Sequence, residues 1–186
     1  YGIDGKFLQT FQWTNPNYTY NTMGVVTTDE TTKSLYAAFV KRMREEVGSK
    51  FQCVLYNKAA DYEGVINVKN RVLDDGANEA SLVYWVTGAE AACAVNKSLL
   101  NVKYDGAYTV DTDYKQSELE GFITSGVFAM HNVSGETRVL SDINSFVSDA
   151  EGKSKEIFGD NQCIRVMDQI ANDIAVLFNT RYLGKV

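Results

Sequence analysis

The sequence predicts an α/β unit followed by an α+β unit, and three observations carry that reading. An apolar stretch at 23–26, an amphipathic helix after it and the apolar run 51–56 follow one another as a βαβ unit does. A second helix, about 79–96, is apolar nearly all round, as a helix packed on a sheet should be. Beyond Tyr104-Asp105-Gly106 the pattern changes to a short helix, a hairpin and one long two-sided helix.

The expected organisation is therefore 1–17 as the remnant of a preceding domain or a linker, 18–106 as the α/β unit and 107–186 as the α+β unit. Phe7, Phe11 and Trp13 show no clear period. Tyr18 and Tyr20 extend these early aromatics, whose expected role is packing at a domain junction. The start at Tyr1 and the stop at Val186, directly after a patterned helix, read as a piece of a longer protein.

In the first unit, Thr27 is the expected helix cap, with Glu30 completing a capping box. Leu35, Tyr36, Phe39, Val40, Met43 and Val47 form the inward face; Lys41, Arg44 and Glu45 lie opposite, and Gly48 ends the helix. A further strand is expected at 64–68, a turn at Asp74-Asp75-Gly76, and a cap for the second helix at Asn78. That helix takes bulk from Leu82, Trp85, Val86 and Val95, and a small-residue surface from Gly88, Ala89, Ala91, Ala92 and Ala94.

In the second unit, a short strand at 108–110 precedes a helix at 117–124. A hairpin follows, pairing 127–131 with 137–140 around Ser134-Gly135. The last helix, 161–183, sets Ile164, Met167, Ile170, Ala171, Ile174, Leu177 and Phe178 on one stripe. Arg165, Asp168, Gln169, Asn172 and Asp173 lie on the other face. The stripe is expected to dock onto the domain, so that Ile170→Ala or Ile174→Ala would cost about 2–5 kcal/mol. The polar face, with Val176 stranded in it, is expected to meet a partner.

Composition narrows the function. A net charge of −6 argues against nucleic acid as a partner, because phosphate binding needs a basic surface. No apolar run approaches the length of a membrane span, so membrane insertion is not expected. Cys53, Cys93 and Cys163 lie far apart in apolar segments, as reduced buried thiols do, although spacing leaves a disulfide pair open.

The search for chemistry finds candidates that fail on context. The one histidine, His131, has no acid or nucleophile partner signalled near it, and no Gly-x-Ser-x-Gly elbow exists. The segment from Gly121 to Gly126 has phosphate-loop spacing, but Val127 and Phe128 stand where Lys and Ser/Thr belong, so a helix-ending turn is expected. Asp111-Thr112-Asp113 opens like a calcium loop, yet Gln116 and Phe122 occupy the glycine and bidentate-acid positions. These acids more simply cap the following helix. Glu45-Glu46 and Asp74-Asp75 read as solvated surface. No cofactor, metal or catalytic residue is expected, and the chain is not expected to be an enzyme.

Four segments carry a family resemblance. Thr28-Asp29-Glu30, then Phe39 through Gly48, then Phe51-Gln52-Cys53-Val54-Leu55-Tyr56 resemble the middle domain of contractile phage tail sheath proteins, a family that includes R-type bacteriocin sheaths. Val83-Tyr84-Trp85-Val86-Thr87-Gly88-Ala89 with Ala94-Val95-Asn96-Lys97-Ser98 resembles its small-residue helix. Glu118-Leu119, Gly126-Val127-Phe128, Arg138-Val139-Leu140 and Asp142 through Phe146 resemble the start of its C-terminal domain, and Arg165 through Ile174 its long helix.

The resemblance implies an α/β middle domain followed by an α+β C-terminal sheath domain. It implies a subunit that polymerises helically around an inner tube and contracts to drive the tube through a bacterial envelope. Neighbouring copies would exchange strands through terminal arms that this sequence lacks, and without them the chain is expected to stay single. Expected partners are other copies, the inner tail tube protein, and baseplate and tail terminator proteins. The expected place is a phage tail or bacteriocin particle assembled in the bacterial cytoplasm. Expected partner contacts are Val127, Ala129, His131, Arg138 and Leu140 in the hairpin, with Arg165, Gln169, Asn172 and Val176 on the helix. A type VI secretion-like sheath stays open, as does a small α/β hydrolase or nucleotide-binding domain, which βαβ architecture alone permits.

Overall fold

The computed structural model describes residues 20–149 and 152–182. Residues 1–19, with Phe7, Phe11, Trp13 and Tyr18, lie outside the described residues, as does Leu183 at the expected helix end. Strand β1 (Thr22–Val25), helix α1 (Glu30–Arg42) and strand β2 (Gln52–Tyr56) form the expected right-ordered βαβ unit, with β1 and β2 parallel from Thr22 opposite Gln52 to Val25 opposite Leu55. Strand β3 (Val65–Val68) adds in parallel on the other side of β2. A fourth position follows: Phe128 bridges Val68, its N–H donating to Asn67 O (2.9 Å) while its own carbonyl accepts from Lys69 N (3.0 Å).

Helix α1 is capped by Asp29, whose carboxylate accepts from Thr32 N at 2.6 Å; Thr27 instead accepts from the Asp29 N–H. The cap moves two residues from its expected place because Asp at that position reaches the exposed N–H groups better than Thr does from further out. Tyr36, Phe39, Val40 and Met43 are buried as the helical period requires, but Arg44 is buried too and Val47 is half out. A π-turn at Met43–Val47 explains both departures. Its i→i+5 spacing rotates the residues after Met43, turning Arg44 inward and Val47 outward. Gly48, at φ +84°, then ends the helix in the left-handed conformation.

A 3₁₀ turn (Glu79–Ser81), capped by Asn78, leads into α2 (Leu82–Ala92). Leu82, Val83 and Val86 face the sheet; Tyr84, Gly88, Ala91 and Ala92 are exposed. The helix is therefore two-sided, and its small residues lie chiefly on the outer surface. Close approach to the sheet occurs instead at Gly24 on β1, where any Cβ would collide with Thr87 Oγ1.

After α3 (Gln116–Thr124), the hairpin is formed by β4 (Met130–Val133) and β5 (Glu136–Val139). Ser134 (φ +52°) and Gly135 (φ +85°) make the two-residue turn with both central residues left-handed, which matches the strand twist. Glu118 reaches back to accept from Lys115 N, so the α3 start is held by Glu118 and not by Asp111 or Asp113. The expected strand at 108–110 reduces to one bridge between Val72 and Val110.

One hydrophobic cluster joins Val54, Ile66, Val68, Leu82, Val83 and Val86 to Val110, Phe128, Met130 and Val139. Residues before and after position 106 thus share a single core. A second cluster under α1 holds Phe39, Val40, Phe51, Cys53, Leu55 and Val65. Helix α4 (Lys155–Phe158) leads into α5 (Asn161–Arg181), capped by Asp160 through Cys163 N at 2.8 Å.

Candidate partner interface

Helix α5 has a root and a free half. Ile164 is buried at the root, and there the helix is held by two ion-pair clamps on residues three apart. On one side, Arg165 (8% exposed) donates to Glu90 on α2 and, at 2.8 Å, to Asp142; its second nitrogen also reaches Lys97 O at 2.9 Å. On the other, Asp168 receives a two-bond fork from Arg44 at 2.5 and 2.8 Å, while Arg44 also donates to Phe51 O at 2.7 Å. The π-turn is what delivers Arg44 to that position.

Asn161 completes the first clamp. Its amide donates to Asp142 (2.9 Å) and Glu90 (3.1 Å), and its carbonyl oxygen accepts from Gln52 at 3.0 Å. Asp142 also accepts from Leu99 N (2.8 Å) and Ser98 Oγ (3.1 Å). Burial drives the Glu90 carboxyl well above its ordinary range, and the neighbouring Asp142 pushes it further. Burial works to raise Asp142 as well, but the Arg165 charge and the hydrogen bonds from Glu90, Arg165 and Leu99 outweigh it and hold that carboxyl low. The Arg165 charge thus favours ionisation of Asp142, while burial works against ionisation of Glu90.

This arrangement departs from the expected polarity of α5 in two places, while Ile164 is buried and Gln169 and Asp173 are exposed as expected. Arg165, expected on the outer face, is inside. Ile170 (55% exposed), Ile174 (57%), Leu177 and Phe178 (58%), expected to dock, are outside with Val176 and Tyr182. Arg165 is inside because the buried acids Glu90 and Asp142 draw in a cation, and it is placed to supply one. Gln169 is exposed and donates to Asp173, and Asn172 is half-buried and reaches Lys50 O at 3.4 Å. Gln169, Asn172 and Val176 line a shallow hollow with Tyr20, Asn21 and Asp173.

The hairpin residues are also redistributed. Ala129 is fully buried, so it presents no surface. Val127 and Leu140 are half-buried, and Leu140 N donates to Ala129 O. His131 sits half-buried on β4 opposite Arg138, whose guanidinium pairs with Glu136 (2.6 Å) and donates to Asn101 O (2.8 Å). The outer edge of β5 is occupied by residues 101–104: Val139 N donates to Val102 O, Asn101 N to Val139 O and Tyr104 N to Thr137 O. That edge of the hairpin is thus covered from within its own chain.

Glu90, Asp142 and Asn161 were not singled out by sequence. The available signal was one acid, Glu90, in an otherwise apolar helix, where an unpaired charge is too costly to bury. All three cysteines are free, with Cys53 buried. Among the described residues, no group of three or more His, Cys, Asp or Glu side chains is arranged to hold a metal. Among them also, no helix is long and apolar enough to cross a membrane.

The family model for the phage tail sheath protein central domain matches residues 6–145, most of the chain. The chain belongs to the phage tail sheath protein family. Among curated relatives, protein XkdK of the phage-like element PBSX of Bacillus subtilis is 36% identical over 147 residues, covering 76% of this chain and 31% of its own length. The tail sheath protein of Clostridium phage phiCD119 is 26% identical over 158 residues, 84% of this chain and 44% of that protein. A crystal structure of a sheath tail protein from Desulfitobacterium hafniense superposes with a TM-score of 0.84 at 36% identity, over 95% of this chain and 42% of that one. The contracted helical sheath of the anti-feeding prophage, at 12% identity and a TM-score of 0.62, shares the fold over 86% of this chain and 46% of that one. The chain thus spans less than half the length of each of these proteins.

Proposed function

We propose that the protein is a structural subunit of a contractile tail sheath, polymerising helically around an inner tube and contracting to drive the tube through a bacterial envelope. The family match over 6–145 carries this reading, together with the fold shared along almost the whole chain with a sheath tail protein. Its partners are other copies, the tube protein, and baseplate and terminator proteins, and its place is a phage-type tail particle. The α/β unit 18–106 and the α+β unit 107–186 act as one packed body, a reading supported by the core their residues share. Strand exchange through terminal arms would use edges other than that of β5, which residues 101–104 already fill.

The role is mechanical and not catalytic. In support, the two most deeply buried acids, Glu90 and Asp142, are engaged by Arg165 and Asn161 instead of facing a cleft. Contraction of such a lattice is a switch between two packings of rigid subunits, which suits a body clamped by buried ion pairs. Negative-stain microscopy of the whole protein is the test. Tubes of contracted-sheath appearance are expected; only dispersed particles across salt and concentration would overturn the proposal.

A further inference from the structure

The clamp between α5 and α2 holds an imbalance of charge that its hydrogen bonds do not remove. Glu90 (1% exposed) and Asp142 (2%) are both sealed from solvent, and among the described residues Arg165 is the one cation paired with either. Two ionised carboxylates against one guanidinium would leave a net negative charge in the interior. A buried acid takes up a proton sooner than carry such a charge.

The geometry brings the two acids together. The Asn161 amide nitrogen donates to both, at 2.9 Å to Asp142 and 3.1 Å to Glu90. The Arg165 guanidinium spans both as well, one terminal nitrogen on Glu90 and the other on Asp142. Two donor groups that each reach both carboxylates hold the acids side by side, within hydrogen-bond reach of one another. Asp142 also accepts from Leu99 N and Ser98 Oγ, so it is the better placed of the two to keep its charge.

The other groups around Glu90 do not restore the balance. Strand β2 presents Gln52, a neutral amide that donates to Asn161 at 3.0 Å. The end of α2 presents Cys93, whose thiol burial pushes up against the pull of the Arg165 charge. Beyond it Lys97 is exposed and meets Arg165 through its backbone carbonyl.

We propose that Glu90 and Asp142 hold one proton between them and that this proton latches α5 onto α2. With the proton in place the cluster is neutral: the Glu90 hydroxyl donates to an Asp142 oxygen, and the guanidinium balances the charge that stays on Asp142. The rise of the Glu90 carboxyl under burial and under Asp142 agrees with this assignment. Without the proton, two adjacent carboxylates repel one another beside a single cation. Glu90 is fixed on α2, which packs on the sheet through Leu82, Val83 and Val86, and Asp142 is tied to Leu99. Helix α5 is the element free to give. Raising the pH therefore loosens its root on the α2 side, leaving Ile164 and the Arg44 fork to hold it. The device belongs to the single subunit and does not depend on the sheath reading.

Linkage gives the latch a measurable slope. Between the ordinary glutamate range and the titration point of the cluster, the closed root carries one proton more than the open one. The open population therefore rises about tenfold with each pH unit across that window and levels off above it. Carbon-13 NMR of labelled carboxyl groups in the whole chain should show one glutamate titrating well above the others. That signal should vanish in Glu90→Gln and move down in Asp142→Asn. Native-state hydrogen exchange, corrected for intrinsic rates, should show the amides of residues 164–168 opening with the one-proton slope, ahead of those of β2. Glu90→Gln should remove the slope and Cys93→Ser should leave it. Should Glu90→Gln not fold, Asp142→Asn decides, since it should end the slope at lower pH. Glutamates that all titrate in the ordinary range overturn the proposal, as does a flat exchange response, a slope retained in Glu90→Gln or an unmoved one in Asp142→Asn. Root amides that exchange only together with β2 also overturn it, because the helix is then not released by itself.

Discussion

Replacing Arg165 by Met tests the clamp at the root of the last helix. The substitution keeps the length and apolar stem of the side chain but deletes the guanidinium that holds Glu90 (1% exposed) and Asp142. Two acids are then left facing each other in the interior without a cation, and Lys97 O loses its donor. Removing one member of a buried ion pair costs about 3–5 kcal/mol. A fall of about 4 kcal/mol in a domain of this size lowers Tm by about 8–16 °C, and it is a large share of a total near 5–15 kcal/mol. Urea and thermal melts by circular dichroism read the change. The triple variant Arg165→Met, Glu90→Gln, Asp142→Asn should recover most of the loss, since no unpaired charge remains. A Tm within about 2 °C of the parent for Arg165→Met alone would show that the guanidinium is not what holds these acids.

Other substitutions separate root from free half. Ile164→Ala should cost about 2–5 kcal/mol in urea melts, whereas Ile174→Ala should stay within about 0.5 kcal/mol, reversing the expectation drawn from the helical stripe. Asp168→Asn strips the ionised partner from the Arg44 fork and should cost about 1.5–3 kcal/mol by the same measurement. Gly24→Ala should cost about 1–3 kcal/mol, because its Cβ drives β1 away from Thr87 on α2. The two buried acids act at opposite ends of the pH scale. Glu90, raised in the fold, contributes stability below the ordinary glutamate range that is lost as pH rises through its folded value, so Glu90→Gln should flatten the alkaline decline of the urea midpoint. Asp142, lowered in the fold, contributes above the ordinary aspartate range and loses that contribution as pH falls, so Asp142→Asn should flatten the acid side.

Much of the fold was legible because local signals agreed with one another. The βαβ unit, the Ser134-Gly135 hairpin, the Asn78 cap and the Gly48 stop each rest on residues close in sequence, and each is present. The caps at Asp29 and Glu118 were missed by a few residues, whereas the larger failures depend on partners far away in the chain. Arg44 faces inward because a π-turn and Asp168, 124 residues on, recruit it. The cover on the outer edge of β5 is not legible because residues 101–104 carry no strand pattern of their own. Arg165 was placed outside because helical periodicity assigns a charge to solvent by default. Periodicity sorts side chains by polarity and has no means of pairing two charges on different elements.

That same pairing sets the direction in which α5 leaves the domain. Here the attachment is moved to Arg165 and Asp168, one turn long and gripped from two sides, by α2 and by the end of α1. The clamps are directional, since the Arg44 fork fixes an orientation that apolar packing alone would leave loose. Orientation at the root is amplified along the helix: from Asp168 to Arg181 the axis advances about 20 Å. A tilt of a few degrees at the clamps therefore displaces the tip by an ångström or more. Weakening either clamp without unfolding the domain should accordingly loosen the placement of Leu177 more than that of Ile170, and site-specific spin labels at those two positions in Asp168→Asn would read that difference directly. Equal broadening at both would mean that the helix moves as a detached rod, and that its direction is not set by its ion pairs.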